Sequence, residues 1–193
     1  MQTVGILVFE DVEELDFVGP LEVFGMAALL GASCRTVVVA EEKPPIRCRH
    51  GLRVVPDCTM DQCPALEVLI VPGGLGARTH ARQNERILHF VREQKGTVAS
   101  VCTGALILAA AGILDGLLAT THPASLDLLR QRDAVIVRDA VRFVIGERIA
   151  TSAGVSAGID LALALVTRTW GESVSEKVAA NLEWHSTEWR SAQ

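Results

Sequence analysis

The stretch TVASVCTGALILAAAGIL, residues 97–114, decides the fold. Its first five residues are short, apolar and rich in β-formers, so they read as a buried strand. From Thr103 to Ala111 the chain is rich in alanine and leucine, with no polar residue after Thr103 to mark a loop, and reads as a helix. Cys102 sits on the hinge between the two. A strand that turns sharply into a helix is the unit of an α/β sheet, and it lifts the hinge side chain out of the sheet's end.

The same alternation runs outward in both directions. TVGILVF (3–9) reads as a strand, and 16–30 as a helix whose first turn Gly19-Pro20 interrupts. SCRTVVVA (33–40) is a second strand. Residues 41–64 are polar and proline-bearing, with a small hairpin expected in RCRHGLRVVP. LEVLIVPGG (66–74) is a strand ending in a glycine turn, and NERILHFVREQ (84–94) an amphipathic helix. After the central unit come a short strand and a helix in LLATTHPASLDLLRQ, then two or three short strands over 134–152. A long helix from AGVSAGID onward and a last one over 172–182 close the chain. Near-continuous Val/Ile/Leu strands between helices predict a mainly parallel sheet covered on both faces, in a three-layer α/β fold.

The 193 residues fit one domain, expected to cover 1–193, and can bury a substantial core without staples. Net charge is −5 with no basic block, which argues against a nucleic-acid partner. The longest apolar run, Ala105 to Leu114, is too short for a bilayer. The amino terminus lacks a basic n-region and carries five acids after its apolar run, so no secretory leader is expected. The expectation is a soluble, cytoplasmic protein. The five cysteines, Cys34, Cys48, Cys58, Cys63 and Cys102, form no CxxC pair, so neither a disulfide framework nor a metal site is expected; Cys58 and Cys63 flank an ordinary loop.

Functional groups of a parallel sheet gather at the carboxyl ends of its strands. Cys102 lies at such an end, where the following helix offers free N–H groups and a partial positive charge that favour thiolate. Its alternative is a buried structural thiol. Gly73-Gly74 ends another strand, and an N–H from that turn with the N–H of Thr103 could form an oxyanion-binding pair. Asp16, flanked by Leu15 and Phe17, is the acid of the 10–16 segment best placed to point inward; its alternative is a helix N-cap. His122, at a third strand end, is a general base or a hydrogen-bonded wall residue. His50, His80, His89 and His185 read as surface.

These elements resemble, in order and spacing, the ThiJ/PfpI superfamily, which has the class I glutamine-amidotransferase-like, flavodoxin-like fold. The segments ELDFVGPLEVF, VLIVPGG, VASVCTGALILAAAGIL, ATTHPA and TSAGVSAGIDLALAL carry the resemblance over residues 3 to about 185. Within the superfamily the chain is most similar to the isonitrile hydratases, through the aspartate of LDFVGP, threonine after the cysteine and the AGID helix start. The resemblance implies Cys102 as nucleophile, Asp16 as its acid/base and Thr103 contributing its N–H and hydroxyl. It implies Gly74 with its N–H facing the cysteine, and His122 and Gly73 at the pocket wall. It implies hydration of an isonitrile to an N-substituted formamide through a thioimidate, with no cofactor or metal, in a homodimer. Pro123, Ser152-Ala153-Gly154 and Phe17-Val18 depart from the hydratase pattern and could line the pocket.

Other readings fit the same segments. A PfpI-like protease wants histidine after the cysteine, where this chain has Thr103. A glyoxalase-like activity on small α-oxoaldehydes would use Cys102, Asp16 and a nearby histidine. A non-enzymatic redox or ligand sensor would oxidise Cys102 to sulfinate. The same segments occur in AraC-type regulators, although no appended helix-turn-helix domain is expected here.

Overall fold

The computed structural model describes residues 1–191. Its strands are β1 (Gln2–Leu7), β2 (Cys34–Ala40), β3 (Ile46–Arg47), β4 (Arg53–Val54), β5 (Cys58–Thr59), β6 (Val68–Val71), β7 (Thr97–Val101), β8 (Leu118–Ala119), β9 (Ile136–Val137), β10 (Phe143–Ile145) and β11 (Ile149–Ser152). Its helices are α1 (Glu14–Leu29), α2 (Leu75–Arg78), α3 (Glu85–Arg92), α4 (Gly104–Ala110), α5 (Leu126–Arg130), α6 (Ala157–Trp170) and α7 (Glu172–Asn181).

Seven strands form the central sheet in the order β10-β11-β7-β6-β1-β2-β5. All its pairings are parallel except β10 with β11. The strands β1, β6 and β7 are buried along nearly their whole length, which is why they read as unbroken apolar runs rather than alternating ones. Helices α1, α6 and α7 pack on one another, and α3 packs on α4. Right-handed crossovers place these two groups on opposite faces. Six consecutive residues of α4, Gly104 to Ala109, are buried, so its uniformly apolar sequence reflects burial all round. The Asn84 side chain caps α3 by accepting the N–H groups of Arg86 and Ile87.

The chain leaves β1 toward one sheet edge, through α1 to β2, and leaves β6 toward the other, through α3 to β7. The switch point therefore lies between β1 and β6, where this architecture opens a crevice above the strands' carboxyl ends.

The hairpin expected in 47–56 is present as the antiparallel pair β3/β4. Two features differ from expectation. Helix α1 starts at Glu14 and runs through Pro20, whose missing N–H leaves the carbonyl of Asp16 without its helical donor. The polar 41–64 segment contributes the edge strand β5, with Val39 opposite Cys58 and Ala40 opposite Thr59. Two residues of pairing on an edge need no apolar pattern of their own, so composition carried no sign of them.

Candidate active site

Cys102 lies between the last residue of β7 and the first of α4, at φ +55°. That left-handed conformation is uncommon for a residue with a side chain and persists only where its surroundings enforce it. Two hydrogen bonds do so. The Cys102 N–H donates to the Ser152 carbonyl at 3.1 Å, and the Cys102 carbonyl accepts from Thr121 Oγ1 at 2.8 Å. A third restraint is steric. Gly154, at φ +82°, lies so close that a Cβ built on it would stand 2.4 Å from Cys102 Cβ. Cys102 ends 6% exposed.

Asp16, in the first turn of α1, is fully buried beside it. The helix cap is Glu13, so the N-cap alternative for Asp16 does not hold. Asp16 Oδ2 accepts the Gly73 N–H at 3.0 Å, whereas Oδ1 has no hydrogen-bond partner among the described residues. Burial pushes the Asp16 carboxyl up to about 7; the Gly73 N–H and a bond with the Cys102 thiol oppose this, and nearby Glu13 adds to it. Burial and then the Asp16 charge push the Cys102 thiol up to about 12, against the pull of the Thr103 N–H and hydroxyl. The helix terminus alone therefore does not make a thiolate here. The two groups titrate as a pair, and the first proton leaves near neutrality.

The glycine turn behaves differently from expectation. The Gly74 N–H, expected to face the cysteine, donates to Thr103 Oγ1 at 2.9 Å, and the Gly73 N–H is taken by Asp16. The oxyanion-binding pair expected from this turn and Thr103 is thus reduced to the Thr103 N–H. Two strong acceptors, a carboxyl and a hydroxyl, lie within reach of the turn and claim its donors. Its glycines serve close approach instead: a Cβ on Gly73 would come 2.5 Å from Thr103 N and 2.8 Å from Asp16 Oδ2.

His122 is half-buried, and its Nδ1 accepts the Ala124 N–H at 3.2 Å, capping its own turn rather than bonding to Cys102. Of the departures from the hydratase pattern, Ser152 and Gly154 pack against Cys102. Phe17 is in the core, Val18 and Pro123 are exposed, and Ser152 is buried with its hydroxyl donating to the Ser100 carbonyl.

Three contributors are not legible in the sequence. Thr121 and Gly154 hold Cys102 across the sheet; TTH and SAG signal strand ends but not what they touch. His50, read as surface, is exposed but hydrogen-bonded, with Nε2 3.0 Å from Glu13 Oε1, and its backbone N–H donates to Glu14 Oε1 at 2.7 Å. Glu13, Glu14 and His50 are the one group among the described residues whose ligand-capable atoms cluster within 4.8 Å.

A mostly parallel sheet between helical layers, with a strained cysteine at its carboxyl edge, defines a flavodoxin-like α/β protein. Residues 2–168 match the DJ-1/PfpI family, and the chain belongs to it. It is 38% identical over 184 residues to an isonitrile hydratase from Pseudomonas putida, covering 94% of this chain and 78% of that one. It is 27% identical to the HTH-type transcriptional regulator GbdR of Pseudomonas aeruginosa, covering 92% of this chain and 49% of the regulator. Among solved structures, a ThiJ/PfpI family protein from Pseudomonas syringae superposes with TM-score 0.87 at 31% identity, covering 96% of this chain and 76% of that one. Drosophila melanogaster DJ-1beta shares the fold, with TM-score 0.85 at 21% identity over 94% of this chain and 97% of that one.

Proposed function

We propose that the chain is a cysteine-dependent hydratase of small isonitriles, with Cys102 as nucleophile and Asp16 as proton donor and acceptor. The observation that carries the reading is the fully buried carboxyl of Asp16 set against the Cys102 thiol. Such a pair holds one proton between sulfur and oxygen from about pH 7 upward. An isonitrile's terminal carbon accepts a proton and then a nucleophile, so it uses both members.

Asp16 delivers the shared proton to that carbon as the Cys102 sulfur bonds to it, giving a thioimidate, R–N=CH–S–Cys102. Water then adds to the thioimidate carbon, with its proton passing through Asp16 to the nitrogen. The C–S bond breaks, the sulfur regains a proton, and R–NH–CHO leaves. One water is consumed, no electrons change hands, and the pair returns to its starting state. The Thr103 N–H supports the sulfur's negative charge, and Thr103 Oγ1 ties that helix start to the Gly74 turn.

The identity to the Pseudomonas putida hydratase supports this substrate class. A homodimer belongs to the same proposal. Leu15 and Val18 are exposed on α1 beside Ile159, Leu182 and Trp184, an apolar patch that a second copy would cover. Light scattering of the purified protein tests that part.

The reaction is tested by following N-formamide formation over alkyl isonitriles of increasing bulk, with and without EDTA. Turnover of the smaller members that survives EDTA and is lost in Cys102→Ala supports the reading. Inertness toward the whole series, with Cys102 still alkylated by iodoacetamide, overturns it. The likeness to the transcriptional regulator GbdR would then favour a non-enzymatic role.

A further inference from the structure

A cavity of about 640 Å³ opens at the opposite end of the sheet from Cys102. It lies between the end of α3, the turn after α4 and the β10/β11 hairpin. Val98, at the start of β7, is in its wall, so roughly 13 Å of strand separates it from the cysteine at about 3.3 Å per residue. The volume falls within the span of about 300–1,000 Å³ typical of small-molecule sites.

Its lining is amphipathic. Val91, Val98, Ile113, Leu117, Leu118 and Ile149 supply an apolar wall, with Leu117 and Leu118 exposed at 42% and 44%. The charged residues of the lining are Arg92, Arg148 and Glu147. Two guanidiniums against one carboxylate give this wall a net positive charge in a chain of net −5. Each arginine is tethered by one bond. Arg92 Nε donates to the Ala111 carbonyl at 3.1 Å, and one Arg148 terminal nitrogen donates to the Gln94 carbonyl at 2.6 Å. Their other N–H groups have no protein acceptor among the described residues. A guanidinium held by one bond with its remaining donors free is disposed to take a carboxylate.

We propose that this cavity binds a small amphipathic carboxylate, its alkyl body against Leu117 and Ile113 and its head group between Arg92 and Arg148. The site is independent of the reaction proposed for Cys102.

Calorimetric titration with decanoate and with decan-1-ol tests the assignment. The expected result is saturable 1:1 binding of decanoate, at least tenfold tighter than the alcohol. Arg92→Ala/Arg148→Ala, both exposed positions, should weaken decanoate at least tenfold while keeping the wild-type melting temperature. Leu117→Asp should weaken it as much by placing a negative charge in the wall. Cys102→Ala should bind as wild type, which separates this site from the strand-end crevice. Absence of saturable decanoate binding overturns the proposal. So does binding that the arginine substitutions leave intact, or that Cys102→Ala removes.

Discussion

Gly154 closes over Cys102 at a distance no other residue could tolerate. A side chain there would strike the cysteine's own Cβ at 2.4 Å and its Cα at 2.7 Å. Neither atom can swing aside, because Cys102 is pinned by the Ser152 carbonyl on one side and Thr121 Oγ1 on the other. Gly154→Ala should therefore displace the hinge, with a stability loss on the order of 1–3 kcal/mol from overpacking and the positive φ, and a large fall in Cys102 alkylation. Thermal melting and iodoacetamide labelling of the variant check this. A well-folded variant with wild-type labelling would contradict it.

Asp16 works against stability once ionised. Its carboxyl is held up at about 7 in the fold, against 3.8 as its ordinary value. Between those two values the folded chain keeps a proton that the unfolded chain has lost. Stability from this group is complete below the lower value and is lost as pH rises through the upper one. Asp16→Asn keeps an acceptor for the Gly73 N–H and carries no charge. Above neutrality it should be more stable than wild type, by up to about 4 kcal/mol, because each tenfold change in proton affinity is worth about 1.36 kcal/mol. The gap should close toward about pH 4. Paired denaturant titrations across this range read it directly; a gap that does not change with pH would remove the burial argument.

The same pair sets a pH profile. The proposed reaction would use one proton shared between Asp16 and Cys102, the state populated above the first loss near 7 and below the second near 12. Isonitrile kcat/KM should rise through about 7 and stay level through the accessible alkaline range. In Asp16→Asn the rise should disappear and the rate fall by about 10² or more. A wild-type profile that falls as pH passes 7 would mean that the doubly protonated pair is the active one.

Arg142 holds the segment that carries Gly154. Its carbonyl accepts the Ala153 N–H at 2.8 Å, and its guanidinium reaches Ser156 Oγ and the fully buried Asp160 carboxylate, which also accepts from Trp184 Nε1 at 2.9 Å. Arg142→Met strands a buried charge and should destabilise the chain; adding Asp160→Asn should recover most of that loss. The double variant separates positioning from folding. It should melt near wild type yet alkylate at Cys102 at an altered rate. An unchanged rate would show that the segment keeps its place without Arg142.

The sheet and the cysteine were legible because both are written locally. Parallel strands buried on two faces must be apolar throughout, and only one cysteine interrupts the step from such a strand to a helix. Asp16 was legible from its apolar neighbours, although Leu15 proved exposed while Phe17 is core. What escaped was long-range. The donors at Gly73 and Gly74 go to partners 57 and 29 residues away, and Thr121 finds the Cys102 carbonyl 19 residues back. No local pattern encodes which acceptor a loop N–H will meet. The two-residue strand β5 escaped because its place is fixed by β2 and not by its own composition.

In the proposed reaction the Cys102 sulfur bonds to the isonitrile carbon while Asp16 moves the proton. That step is tested most directly by acid-quenching the wild-type protein during turnover and mapping its cysteine peptides by mass. The expected result is an adduct of one isonitrile on the Cys102 peptide, none on those of Cys34, Cys48, Cys58 or Cys63, and no formamide from Cys102→Ala. Formamide produced by Cys102→Ala at the wild-type rate would contradict it.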